Sequence, residues 1–366
     1  MKIGVLTSSR ADYGIYKLLL SKLSNDDRFD LAIIVFGMHL QKQHGETIKE
    51  IESDGFGVIH KVQGMPINDM PVDISQGYGK LIIEFSNYWK ENQFDYVLAL
   101  GDRFEMSAAV QAGIPFGVLF AHLHGGETTL GAIDNIYRHQ ITLASKIHFV
   151  ATDIYRDKVI DIVGDSSKVF NVGALSIDGV NDLILPDWND VRVKFGIPDK
   201  PFILVTFHPE TIQIARNELY SSIVFETLEE LCQANQIVIT LSNADTMGKY
   251  YRDMAHMLKK KHSDSITLVD SFGKENYFSA MKSSKFLLGN TSSGILEAAS
   301  FGKFVINVGK RQEGRLRSAN VFDLNFIKDE IINCVKKIEE NSVYKGGNKY
   351  FKNDTAENII KKLLNV

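Results

Sequence analysis

Tyr96–Gln111, YVLALGDRFEMSAAVQ, decides how the rest of the chain is read. Tyr96–Leu100 is an apolar run without polar alternation, the mark of a strand covered on both faces. Gly101 and Asp102 interrupt it, and Phe104–Gln111 resumes with a helical apolar period. A buried strand leading through a short polar turn into a helix is half of a parallel β-α-β unit.

The same unit recurs outward in both directions. Towards the N-terminus lie the runs Ile3–Thr7 and Leu31–Phe36, and beyond come Gly117–Ala121, Ile147–Val150 and Val169–Val172. Helical patterns over Tyr13–Leu23 and Leu81–Glu91 sit between them. After a stretch rich in Asp, Asn and Gly, Leu175–Pro186, the alternation restarts. It gives strands Phe202–Phe207, Ile237–Leu241, Ile266–Val269, Phe286–Gly289 and Phe304–Val308. Helices are expected over Ser221–Gln233, Lys249–Lys260, Glu275–Lys282 and Gly294–Phe301. The fold class is therefore α/β, with two doubly wound Rossmann-like domains. The boundaries are 1–174 and 175–353. Ligands of such sheets bind outside the carboxyl ends of the strands, so the expected site is a cleft across which the two domains face each other.

At 366 residues and 44% hydrophobic, the chain has the length and composition of a two-domain soluble protein. A net charge of −4 with no basic block gives nucleic acid nothing to bind. The opening MKIGVLTSSR lacks the regions of a signal peptide, and no run of about 20 apolar residues is present, so the expected address is cytoplasmic, without membrane contact. Cys232 and Cys334 lie in apolar helical patterns and read as buried thiols. No G-x-x-x-x-G-K-[ST] loop occurs, and no G-x-G-x-x-G follows the first strand, which disfavours an NTPase or a nicotinamide enzyme. HExxH and CxxC are absent too, so no metal site is expected.

What remains is a series of polar clusters placed just after strands. Arg10 and Asp12 follow the first strand; Arg10 suits a phosphate, and Asp12 serves equally well as a helix cap. Asp102 and Arg103 follow the Tyr96–Leu100 strand. His122, His124 and Glu127 come next, with Asp134 close behind, and alternation along an extended segment would put both rings on one face. Asp102, His124, Glu127 and Asp134 together make a carboxylate-rich pocket suited to proton transfer. In the second half, His208 and Asn243 end two strands. Thr291, Ser292, Ser293 and Gly294 open a helix, an anion site, and Glu297 one turn later is placed to take ribose hydroxyls. Arg311 sits in the cationic stretch after the last apolar run.

These clusters, in this order, resemble the UDP-N-acetylglucosamine 2-epimerase family, and within it the bacterial hydrolysing members that feed sialic-acid-type sugar synthesis. The matching pieces are SSRADYG at 8–14, GDRFE at 101–105, HLHGGE at 122–127, AIDNIYRH at 132–139, FHPET at 207–211, SNADT at 242–246, GNTSSG at 289–294 and GKRQEGR at 309–315. The resemblance implies the glycosyltransferase-B type of fold, with the last helix, Thr355–Leu364 within 354–366, returning to the first domain. It implies no cofactor, a UDP-sugar substrate and a homodimer. By the same resemblance Asp102 and Asp134 fall on catalytic carboxylate positions. His208, Thr291, Ser292, Glu297 and Arg311 fall on nucleotide-contacting positions, with Arg10 near the diphosphate. The animal enzyme carries Glu where this chain has His124, which leaves removal of the sugar C2 proton to Glu127 or to His124 itself. The activity implied is hydrolytic epimerisation of UDP-N-acetylglucosamine to N-acetylmannosamine and UDP. Rival substrates are UDP-diacetylbacillosamine and GDP-N-acetylglucosamine, and the rival outcome is a product still linked to UDP. A glycosyltransferase of the same fold, or a sugar-nucleotide sensor, is a more distant alternative.

Overall fold

The computed structural model describes residues 1–41, 47–65, 68, 70–242, 247–340 and 343–365. The chain forms two compact units, each built on one parallel sheet. The first contains residues 1–127, 134–179 and 350–366; the second contains 128–133 and 180–349.

The first sheet has strands β1 (Lys2–Thr7), β2 (Asp30–Val35), β3 (Val58–Lys61), β4 (Tyr96–Leu100), β5 (Phe120–Leu123), β6 (Ser145–Val150) and β7 (Val169–Asn171), ordered β3-β2-β1-β4-β5-β6-β7. The second has β8 (Phe202–Thr206), β9 (Gln236–Thr240), β10 (Ile266–Val269), β11 (Leu287–Gly289), β12 (Val305–Val308) and β13 (Val321–Leu324), ordered β10-β9-β8-β11-β12-β13. Every pairing is parallel. Both sheets are covered on two faces, hence the nearly all-apolar central strands: Ile3, Val5, Val97, Leu98, Ile203 and Val205 are fully buried.

Two strands escaped the sequence reading, β3 and β13, and both are edge strands with partly exposed residues. Unlike the edge strands β7 and β10, these two lack a continuous apolar run, the signal a buried parallel strand prints in sequence. The run expected at Gly117–Ala121 forms its strand further along, at Phe120–Leu123, because Ile114–Phe116 makes a 3-10 turn ended by Gly117 at φ +67°. The helix expected from Leu81 starts at Pro71, where a proline at the first turn costs no hydrogen bond.

The order of strands matters for function. In each sheet the winding direction reverses once, between β1 and β4 and between β8 and β11. Loops leaving the carboxyl ends on either side of such a reversal diverge and leave a crevice. The first reversal carries the turns Ser8–Asp12 and Gly101–Arg103; the second carries Phe207–Thr211 and Asn290–Ser293. The final helix, Thr355–Leu363, belongs to the first unit, where Ala356, Ile359, Ile360 and Leu363 enter the core that also holds Leu19, Leu20 and Leu23. Cys232 and Cys334 are free thiols in the second core.

Candidate active site

At the first reversal, Asp12 is absorbed by the chain around it. Ser9 is the N-cap of the helix Arg10–Ser24 and Asp12 its third residue, and the two form a capping box. Asp12 Oδ2 accepts from the Ser8 amide (3.0 Å), the Ser8 hydroxyl (2.7 Å) and the Ser9 amide (3.1 Å), while Oδ1 accepts from the Ser9 hydroxyl at 2.9 Å. Its geometry is that of a structural cap. Arg10, the first residue of that helix, is half-buried. Arg103 leans back on its neighbour, its guanidinium 2.9–3.2 Å from Glu105. Glu105 is fully buried, and desolvation holds its carboxyl above the usual carboxylate range against the opposing pull of Arg103.

Asp102, His124 and Glu127 are brought together, and the group that joins them is Arg138. This arginine is 1% exposed, on the helix Asp134–Ala144. One guanidinium nitrogen, Nη2, donates to Asp102; Nη1 donates to the His124 carbonyl at 2.6 Å and stands 4.0 Å from Glu127. His124 Nδ1 lies 2.6 Å from Glu127 Oε1. An ionised carboxylate only accepts, so Nδ1 carries the proton in this pair. The other ring nitrogen, Nε2, is buried and has no hydrogen-bond partner among the described residues. One buried cation thus holds two carboxylates, and one of them orients a histidine whose second nitrogen is available. Asp134 lies one turn before Arg138 on the same helix, so the two side chains leave the same face.

The two histidines of HLHGGE do not share a face through alternation. β5 ends at Leu123, and His124 turns out of it at φ +63°. His122 stays in the strand, fully buried, with Nε2 2.8 Å from the Gly101 carbonyl and Nδ1 3.1 Å from the Thr142 hydroxyl. Burial pulls its pKa down to about 3, so it is a neutral strut beneath the Gly101–Asp102 turn.

At the second reversal, β8 and β11 are tied across by Asn290. Its amide donates to the His208 carbonyl and its carbonyl accepts the His208 amide, both at 2.8 Å. Thr291 is the N-cap of a one-turn helix, Ser292–Leu296, and Glu297 stands at the joint with a 3-10 turn, Ala298–Phe301, not inside one continuous helix as the sequence led us to expect. The Ser293 hydroxyl donates to Tyr277 at 2.9 Å. Asn243 lies outside the described residues.

The cationic loop after β12 is held by a residue the sequence reading passed over. Glu210, 2% exposed, accepts from the Lys310 amide at 2.5 Å and from the Arg311 amide. Burial raises its pKa, while those amides and the cations of Lys310 and Arg311 oppose the rise. Asn217 grips the Glu210 backbone from both ends, at 2.9 and 3.0 Å. Gln312 donates to the Asn290 carbonyl at 3.0 Å, joining this loop to the His208 turn. Arg138, Glu210, Asn290 and Tyr277 are thus the residues that sequence reasoning left unassigned. The only signal was that the first three sit inside or beside motifs already singled out.

Comparison with known proteins points to one family. The family described as UDP-N-acetylglucosamine 2-epimerase matches residues 21–364. "Polysialic acid biosynthesis protein P7" of Escherichia coli is 32% identical over 98% of this chain and 93% of its own length. The "GDP/UDP-N,N'-diacetylbacillosamine 2-epimerase (hydrolyzing)" of Campylobacter jejuni is 32% identical over 88% of this chain and 84% of its own. Among solved structures, the UDP-GlcNAc 2-epimerase of Methanocaldococcus jannaschii in complex with UDP-GlcNAc and UDP superposes with a TM-score of 0.84 at 17% identity, covering 100% of both chains. The shared fold is of the glycosyltransferase-B type.

Proposed function

We propose that this chain, which belongs to the UDP-N-acetylglucosamine 2-epimerase family, hydrolyses UDP-N-acetylglucosamine with inversion at C2, releasing N-acetylmannosamine and UDP. The single observation that carries the reading is the Asp102–Arg138–Glu127–His124 assembly at the ends of β4 and β5.

The C2 hydrogen of the sugar is barely acidic until the C1–O bond begins to break. Catalysis therefore needs two things at once: stabilisation of the departing diphosphate and a base over C2. In this reading Arg311, His208 and the amides at Thr291–Ser293 hold the UDP, Glu297 takes the ribose, and Arg10 meets the diphosphate. A base from the Asp102, Glu127, His124 and Asp134 set takes the C2 proton as the C1–O pair leaves with UDP. The product of that elimination is 2-acetamidoglucal. Water then adds across the double bond, its hydroxyl to C1 and a proton to C2 on the opposite face. His124 suits one of the two proton transfers, since Glu127 engages Nδ1 and leaves Nε2 for the transfer.

A second reading has specific support: the Campylobacter relative is named for a diacetylbacillosamine nucleotide. Proton NMR of the purified protein in deuterated water, with each UDP-sugar in turn, separates the two. The expected result is free N-acetylmannosamine carrying deuterium at C2, together with UDP. Turnover of the diacetamido sugar alone moves the assignment to that substrate, and a UDP-linked mannose-type product excludes hydrolysis. In the same assay Asp102→Asn and Asp134→Asn are each expected to stop turnover or let glucal escape. Full activity in either removes that residue from the mechanism.

A further inference from the structure

Residues 128–133 form part of the second unit, whereas Glu127 and Asp134, which bracket them, belong to the first. The segment does not merely pass by; it is seated on the cationic loop. The Leu130 amide donates to the Glu313 carbonyl at 2.9 Å, and the Ile133 amide donates to the Thr211 hydroxyl at 3.0 Å.

Two glycines make the seat possible. A Cβ on Gly131 would stand 2.1 Å from the Lys310 carbonyl oxygen and 2.7 Å from the Arg311 amide, which backbone cannot yield to. A Cβ on Gly314 would meet the Thr128 side chain at 2.8 Å, and its φ of +89° is one that L-residues avoid. The loop is thus gripped from two directions. Glu210 takes the Lys310 and Arg311 amides, and the segment 128–133 packs on the same two residues through Gly131.

From this interlock we infer that Thr211 and Gly131 are positioning residues, which fix the segment 128–133 on the Lys310–Glu313 loop and thereby set the backbone from which Glu127 and Asp134 project. Thr211 acts one peptide away from Asp134, through the Ile133 amide. Glu127 is followed directly by Thr128, whose side chain packs at Gly314. The same loop bears Arg311. This inference rests on the 2-epimerase reading for the roles of Glu127 and Asp134, but the docking itself does not.

The test compares Thr211→Val, which keeps shape and removes the hydroxyl acceptor, with Thr211→Ser, which restores it. Because a misplacement of about 1 Å costs up to roughly 100-fold in rate, Thr211→Val should lower kcat about 10-fold. The affinity for UDP, measured by calorimetry, should change less than about twofold, since the contact removed bears on catalytic groups and not on the nucleotide. Thr211→Ser should recover kcat. Gly131→Ala should lower kcat further and speed amide hydrogen exchange across residues 128–134. Thr211→Val with wild-type kcat overturns the inference, and so does an equal loss of kcat and UDP affinity. If the wild type releases UDP from no tested sugar nucleotide, the 2-epimerase reading fails instead. Exchange then decides the docking alone: unchanged exchange in Gly131→Ala overturns it, and faster exchange supports it.

Discussion

Arg138 shows how much a single buried cation organises. It is a full helical turn past Asp134 and far in sequence from Asp102, yet it ties Asp102, the His124 backbone and Glu127 into one assembly. A guanidinium presents several donors in a fixed plane, so one side chain can hold two partners at set angles; an ammonium is a point charge and cannot. Arg138→Lys is expected to lower kcat about 100-fold by releasing either Asp102 or the His124 carbonyl. It should also reduce the free energy of unfolding by about 3 kcal/mol, since buried carboxylates are left with less compensation. Rates of UDP release and urea unfolding check both, and a wild-type kcat in Arg138→Lys would show that the geometry of the fork is irrelevant. Asp102 stood out in the sequence because a carboxylate directly after a buried strand is poorly explained by packing alone, helix capping being the other reading. Arg138 did not, because a cation inside an amphipathic helix reads as a solvated face until the fold turns it inward. Glu210 was hidden for a related reason: its partners are backbone amides 100 residues away, and amides leave no trace in sequence.

Among elements, every central strand was readable, and of the four edge strands β7 and β10 were readable while β3 and β13 were not. Central strands are buried on both faces and carry continuous apolar runs; β3 and β13 carry His60, Lys61 and Asp323 among their few residues. The final helix shows a similar limit. The family resemblance implied a last helix packed on the first domain, and Ile359, Ile360 and Leu363 do enter that core, but its cap lies elsewhere. Asp354 caps nothing with its side chain and sits at φ +58°. The orphan amides of Thr355 and Ala356 are taken instead by Asp178, at 3.1 and 2.7 Å. A carboxylate accepting two helix-start amides also meets the positive end of the helix dipole. Asp178→Ala should therefore cost about 1–2 kcal/mol of stability, as an N-cap does, although it stands outside the helix it caps. Urea unfolding measures the loss. An unchanged midpoint would mean that water replaces the carboxylate without penalty.

At the scale of the whole molecule, titratable burial is divided unevenly between the two units. His39, His122 and His148 are all in the first unit, and their relative exposures are 0%, 0% and 2%. Desolvation pulls their pKa values to about 4, 3 and 4 respectively. For His39 the charges of Asp12 and Glu50 resist that pull and Arg10 adds to it. For His122 the Gly101 carbonyl resists, while His148, Arg138 and His124 add to it. Each ring titrates near 6.5 once unfolded, so as pH falls the unfolded chain takes the proton first and the folded chain does not. Stability from these neutral rings is complete above pH 6.5 and is lost progressively below it. At pH 5 the loss is about 2 kcal/mol per ring, or about 6 kcal/mol for the three, which is comparable to the whole margin of a domain. Glu105, raised by burial, works against this trend as it gains a proton. The chain has two tryptophans: Trp89 is buried in the first unit, and Trp188 stacks on Phe202 in the second. A Trp188→Phe variant leaves only the first unit fluorescent, and Trp89→Phe leaves only the second. Between pH 7.5 and 5.0 the urea midpoint read from Trp89 should fall steeply, and the fall read from Trp188 should be smaller. A Trp89 midpoint that does not move would mean that the three rings are protonated within the fold, and that the first unit is more open around them than its packing implies.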